Sequence, residues 1–283
     1  VTRPATEKLF TAAGLDFATE QSKARQPGYK GRSLNLRVST SMTVESRYDK
    51  SYNVIAKLTG AKSPDEYIIY TAHWDHLGIG KPNAEGDSIY NGALDNASGT
   101  AGLLELATAF SKLEDKPARS IVFLAVTAEE QGLWGSAYYA ENPVYPRDKT
   151  VANINMDGLN PYGRMKDVMI VGAGQSELED FLREEAKLLD RQVGVDDESE
   201  KGFYFRSDHF NFAKVGIPAL YIKTGSNFEG RGSEYGQELK SGYTQKYYHQ
   251  PSDEYDTARL NFEGGLEDVK LLFQVAKRLG FEV

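Results

Sequence analysis

Hydrophobic positions along this chain follow two alternating rhythms. Residues 67–71, Tyr-Ile-Ile-Tyr-Thr, are β-branched or aromatic and contain no Gly or Pro, so they read as a buried strand. Residues 121–126 are continuously apolar, the pattern of a central strand covered on both faces. Residues 53–58, 151–156, 168–171 and 217–222 read as further strands. Between these runs the period becomes helical. Leu103, Leu104, Ala107 and Phe110 share helical spacing within residues 98–113. Residues 6–13, 132–140 and 266–279 also read as helices, the first closed by Gly14 and the last stopped by Gly280. Ser176 and Glu179 spell a capping box that opens a helix running to residue 189.

The remaining stretches are weaker. Residues 34–45 alternate apolar and polar positions (Leu34, Leu36, Val38), as a half-exposed strand does. Residues 21–33 and 78–92 read as loops. Residues 226–246, rich in Gly, Glu and Tyr, read as one long loop, and loops of that length in a compact domain are usually functional or mobile. Strands alternating with helices predict an α/β fold: a mixed, mostly parallel central sheet sandwiched by helices, with a mixed edge from the early strands. One domain over residues 1–283 accommodates the pattern.

Composition narrows the function classes. The chain has 283 residues, 40% of them hydrophobic, which is ample for a core. The net charge is -8 and no Lys/Arg cluster stands out, which argues against nucleic acid and polybasic membrane contact. The absence of cysteine excludes disulfides and thiolate metal sites. No apolar run approaches the roughly 20 residues of a membrane span. The chain starts at Val1 with neither Met nor a signal sequence, which reads as a processed form or an excised piece.

Candidate chemistry stands at strand ends. The 67–71 run leads into His73, Asp75 and His76. In extended backbone His73 and Asp75 point the same way, and a carboxylate beside a metal-binding imidazole fixes its tautomer. A polar loop with a capping Asp explains the same residues equally well, and the acids downstream decide. Asp95 precedes a helix, Glu129 and Glu130 follow the 121–126 strand, Asp157 follows the 151–156 strand, and His249 adds a second imidazole. The carboxyl ends of strands in an open α/β sheet form the ligand crevice. Charges there are expensive unless paired or bound to metal, and a pair of divalent cations removes the mutual repulsion of several acids. Nitrogen and carboxylate ligands without thiolate suit zinc in an open site. With two metals one carboxylate must bridge, and of the adjacent Glu129 and Glu130 one ligates while the other serves as base.

Taken together, His73-Trp74-Asp75, Leu94-Asp95-Asn96, the run Ala128 through Gly132, Met156-Asp157 and Tyr248-His249 resemble the M28 family of zinc aminopeptidases. The resemblance runs from about residue 53 to the C-terminus and implies the zinc-dependent exopeptidase fold. It also implies Zn2+, two per chain: His73 and Asp157 on one ion, Glu130 and His249 on the other, Asp95 bridging. Glu129 would be the general base for a metal-activated water, Asp75 would orient His73, and Tyr248 would stabilise the oxyanion. The peptide after Asp95 is often cis in this family. The implied partners are peptides with a free amino terminus. Residues 1–49 resemble the stretch that follows a protease-associated domain in longer members, a domain missing here, so a secreted or periplasmic origin is expected. Competing readings on the same fold are a mono-zinc glutaminyl-cyclase-like transferase, a carboxypeptidase in which Arg206 holds a carboxylate, and a receptor-type domain without activity.

Other features carry ordinary readings. His76 is expected beside the ligands or at the surface, and His209 at a helix start capped by Ser207 or Asp208. Gly172-Ala173-Gly174 reads as a turn. Asn96-Ala97-Ser98 is formally a glycosylation sequon, but a glycan there would cover the proposed site. Phe203, Tyr204, Phe205, Phe228 and Tyr243 build either a side-chain pocket or packing under long loops.

Overall fold

The computed structural model describes residues 1–196 and 198–281. The chain divides into two compact units, Val1–Asp49 and Lys50–Val283. In the first, helices α1 (Arg3–Ala12) and α2 (Phe17–Ala24) are joined by a short turn through Gly14. Phe10 and Phe17 pack edge to face across it, 5.2 Å between ring centres. The Asp16 carboxylate caps α2 by accepting from Thr19 N at 2.8 Å. This cap carries the helix through residues 21–24, where polarity alone suggested a loop. The alternation at residues 34–45 yields no strand, and Leu36, Val38, Met42 and Val44 are exposed. Alternation becomes a strand only where a neighbour supplies the ladder, and among the described residues this segment joins neither sheet.

The second unit is built on a seven-stranded sheet of order β1-β5-β2-β6-β9-β7-β8. The strands are β1 (Val54–Leu58), β2 (Ser63–His73), β5 (Arg119–Val126), β6 (Thr150–Asn155), β7 (Asp167–Ile170), β8 (Gln192–Val195) and β9 (Ala219–Thr224). Only β1 on β5 and β7 on β9 are antiparallel. The sheet is therefore mixed and mostly parallel, with the mixed edge where the early strands suggested it. β3 (Gly78–Ile79) and β4 (Ile89–Tyr90) form a small separate hairpin inside the expected Gly-rich loop.

Helices cover both faces. Ile68 and Tyr70 of β2 point into one core with Leu106 and Phe110 of α3 (Ser98–Ser111), Leu182 of α5 (Leu178–Leu188) and Leu272 of α8 (Glu263–Phe281). Tyr67 and Ile69 point the other way, toward Tyr139 of α4 (Trp134–Glu141) and Phe212 of α6 (His209–Lys214). On α3 the buried stripe runs through Leu103, Leu106 and Phe110, and Leu104 is exposed. The capping box is not closed: Glu179 accepts from the amides of Gly174 and Gln175, which draws the preceding turn onto the helix instead. α8 continues through Gly280, where a side chain would press on Pro117, so this glycine serves close packing rather than termination.

The largest departure is α7 (Gly232–Lys246), a helix where a loop was expected. Its glycines weaken the helical signal. Gly236 has a packing reason: a Cβ there would lie 2.0 Å from the backbone oxygen of Ser226.

Parallel pairing assembles the site. His73 is in register with Val126, and Thr71 with Asn155. The carboxyl ends of β2, β5 and β6 therefore lie side by side and bring His73, the 127–130 turn and Asp157 together.

Candidate metal centre

His73 closes β2 and is fully buried. Its Nδ1 lies 2.9 Å from the backbone oxygen of Asp75. A carbonyl only accepts, so Nδ1 carries the proton, and in the neutral ring the Nε2 lone pair is left facing outward. That lone pair meets carboxylates: Asp95 Oδ1 at 3.1 Å and Asp157 Oδ1 at 3.4 Å. Nε2 has no hydrogen-bond partner of acceptable geometry, and the same holds for Nε2 of His249. His249 Nε2 lies 3.2 Å from Asp95 Oδ2 and 3.1 Å from Glu130 Oε2. Asp95 thus presents one oxygen to each histidine. Lone pairs facing carboxylates repel unless a proton or a metal ion lies between them.

The elements that hold these groups are local. Asp95 sits in the tight turn Ala93–Ala97, and the Asp95–Asn96 peptide is cis. Asn96 is buried and its side chain is consumed internally, donating to Met156 O and accepting from Gly99 N and Gly158 N. The sequon asparagine therefore faces inward. Glu129 and Glu130 lie in the turn after β5, where Ala128 adopts a φ of 54°. Ligand atoms of His73, Glu129 and Asp157 lie within 4.8 Å of one another, and so do those of His73, Asp95 and Glu130.

The electrostatics follow from this crowding. Burial, with Asp157, Asp208 and Glu130 nearby, pushes the Glu129 carboxyl up to about 9 despite His73. Burial opposes ionisation of Glu130 too, yet contact with His249 and His76 holds it down at about 2. Asp95 and Glu130 push His249 up to about 10. Burial disfavours a charged His73, but Asp157 and Asp95 outweigh it and raise its proton affinity well above the ordinary value. Without a cation the cluster holds protons in its place.

The carboxylate of Asp75 does not orient His73. Its Oδ2 accepts from Thr127 Oγ1 and Ala128 N, both at 2.7 Å, and the residue's backbone oxygen meets the imidazole. The carboxylate instead fixes the turn that carries Glu129. Tyr248 is half-exposed at the rim, its ring stacked 3.9 Å from that of His249. The His76 side chain is buried, with Nδ1 2.7 Å from Glu130 Oε1.

Ser207 and Asp208 do not cap α6. Ser207 Oγ donates to Asp157 Oδ2 at 2.6 Å, and Ser136 Oγ donates to Asp208 Oδ1. Asp253, unremarked in the sequence, is fully buried; its Oδ2 accepts from the amides of Leu94 and Asp95 and from Tyr243 Oη. Position in the chain gave one usable signal: Asp253 lies four residues past His249. Of the five aromatics, Phe203 lies under Lys223, Tyr204 packs on His209, and Phe228 packs on Tyr235.

Residues 53–272 match the sequence profile of peptidase family M28. The chain belongs to that family. Within this M28 chain, 110 residues are 41% identical to a probable zinc metalloprotease of Pyricularia oryzae, covering 39% of this chain and 20% of that protein. A further similarity, 38% over 127 residues, is to the mouse aminopeptidase NAALADL1, covering 43% of this chain and 15% of that one. Among solved structures, the aminopeptidase from Aneurinibacillus sp. strain AM-1 superposes with a TM-score of 0.58 at 23% identity, over 81% of this chain and 48% of its own. The likeness carries the fold. The chain matches a fifth or less of the length of these curated relatives and about half of that structure.

Proposed function

We propose that this M28 chain is a zinc metallo-aminopeptidase that holds two zinc ions and releases the amino-terminal residue of peptides. The observation that carries the reading is the pair of buried histidine Nε2 atoms, each without a hydrogen-bond partner and each facing two carboxylates. His73 and Asp157 would hold one ion, Glu130 and His249 the other, with Asp95 shared. Nitrogen and oxygen donors of this kind fit zinc. Bound zinc supplies Lewis acidity, polarising the scissile carbonyl and acidifying water.

The chain's own residues supply the proton traffic. Glu129 lies within 4.8 Å of the ligand atoms of His73 and Asp157 and is not needed as a ligand in this assignment; its raised proton affinity suits a group that accepts a proton from the attacking water and returns it to the leaving amine. Asp75 holds the turn beneath Glu129 through Thr127 and Ala128. Tyr248, exposed and stacked on the His249 ring, would donate from Oη to the developing oxyanion. The names of the relatives support an exopeptidase acting from the amino end.

The test uses zinc-loaded protein with leucyl-p-nitroanilide, its N-acetyl derivative and metal analysis. Two zinc ions per chain, turnover of the free amine and none of the blocked one are expected. Cleavage of the blocked substrate, or a single ion, would remove the aminopeptidase and the two-ion readings respectively.

Zinc binding has a proton signature. At pH 7 the metal-free His73 and His249 carry their protons, as their raised values require. Ligation needs both Nε2 atoms free, so binding should expel about two protons. Affinity should therefore rise with pH. Calorimetry in two buffers of different ionisation enthalpy measures the release, and a value near zero would contradict it.

A further inference from the structure

Beside the candidate metal centre lie two cations, Lys223 and Arg206, that rest on an aromatic ring. Lys223 of β9 follows Tyr221 by two residues, so both side chains leave the same face of the strand. That face fronts the site, because Tyr221 Oη donates to the backbone oxygen of Asp157 at 3.3 Å. The segment that carries Ser207, which donates to the Asp157 carboxylate, also carries Phe203 and Arg206. Lys223 Nζ lies 3.6 Å from the centre of the Phe203 ring, and the Arg206 guanidinium carbon lies 5.7 Å from the same centre. Among the described residues, neither the Lys223 nor the Arg206 side chain has a hydrogen-bond or ion-pair partner.

This arrangement asks for an anion. The chain has 41 acidic residues against 33 basic ones, so acids are not scarce. Burial, together with the charges of Lys240 and Arg206, lowers the proton affinity of Lys223, although Asp157 and Asp196 act in the other direction. A half-buried ammonium resting on an aromatic face is only weakly held, since a cation–π contact is worth far less than a charge-assisted hydrogen bond. The ring also gives an apolar floor on which the methylenes of an acidic side chain can lie.

We propose that Lys223, with Arg206, receives a carboxylate of the substrate, and that its source is the side chain of an amino-terminal Glu or Asp. Proximity to Asp157 favours that source over the substrate's C-terminus. The proposal rests on the peptidase reading above and adds the class of substrate to it.

Two substrate pairs test it with the zinc-loaded full chain. Glutamyl- and glutaminyl-p-nitroanilide differ only in the side-chain carboxylate; glutaminyl-glycine and its amide differ only in the C-terminal one. The glutamyl compound should be favoured about 10- to 100-fold in kcat/KM, the range of a hydrogen bond to a charged group. Lys223→Met should bring that ratio close to one and Lys223→Arg should keep it, with Tm checked for both variants. A Lys223-dependent preference in the dipeptide pair alone supports the carboxylate site and moves its source to the C-terminus. No preference in either pair, or one that survives the Lys223→Met/Arg206→Ala double variant, overturns the proposal. No turnover of any of the four compounds would refute the peptidase reading instead. Calorimetry of L-glutamate against L-glutamine then decides: tighter glutamate binding that needs Lys223 supports the site, and equal binding overturns it.

Discussion

Glu129→Gln should lower kcat by about two to four orders of magnitude, the usual contribution of a general base, while zinc content stays unchanged. Gln has the shape of Glu and cannot take up a proton, so the substitution removes the proposed chemistry and little else. Two results would break the assignment. Retained activity would place the base elsewhere, and lost zinc would make Glu129 a ligand.

The same substitution has a stability signature in the metal-free protein. Glu129 has an ordinary value of 4.5 and is pushed to about 9, chiefly by burial. Its folded-state value lies above its unfolded one, so its ionisation opposes folding. The favourable contribution is complete below about pH 4.5 and is lost as pH rises through about 9. Glu129→Gln removes this loss. The Tm of the metal-free variant should therefore gain on wild type as the pH is raised from 5 to 9. A constant difference would mean that the group is not held in its neutral form.

The residues legible in the sequence share one physical property: each stands at the end of a strand or in the turn after it. Parallel pairing carries such positions to one edge, so His73, Glu129, Glu130 and Asp157 could be grouped before any coordinates. Asp95, just before a helix, and His249, late in the chain, joined them as donor types, and the resemblance implied which ion each would serve. What stayed hidden depends on contacts between distant segments. Asp253 reaches the amide of Asp95 across 158 residues, and Ser207 reaches Asp157 across 50. No periodicity records such pairs. The role of Asp75 failed for a different reason. Its backbone oxygen and its carboxylate are so close together that spacing could not say which of the two meets His73. α7 was missed because three glycines, Gly232, Gly236 and Gly242, weaken the helical pattern, and tertiary packing under Ser226 explains only the second.

Asp95→Ala should abolish activity and most zinc-dependent stabilisation together. Asp95 sets one oxygen 3.1 Å from His73 Nε2 and the other 3.2 Å from His249 Nε2, the two candidate ligand nitrogens. Without it the carboxylate beside Nε2 is Asp157 for His73 and Glu130 for His249. In the metal-free protein this breaks a buried charged cluster, a change that typically costs about 3–5 kcal/mol. In the zinc-loaded protein it removes the one ligand both ions would share. An ion present at a hundred times its Kd stabilises a fold by about 2.7 kcal/mol, so the zinc-induced rise in Tm reads the loss directly. Asp95→Asn separates charge from shape. Asn offers one oxygen and one NH2 group, so it can serve one histidine's side and not the other. Its zinc content should fall to about one per chain, the shape being kept and one acceptor lost. Two ions retained in Asp95→Asn would mean that Asp95 is not shared between them, and the pairing of ligands would have to be redrawn.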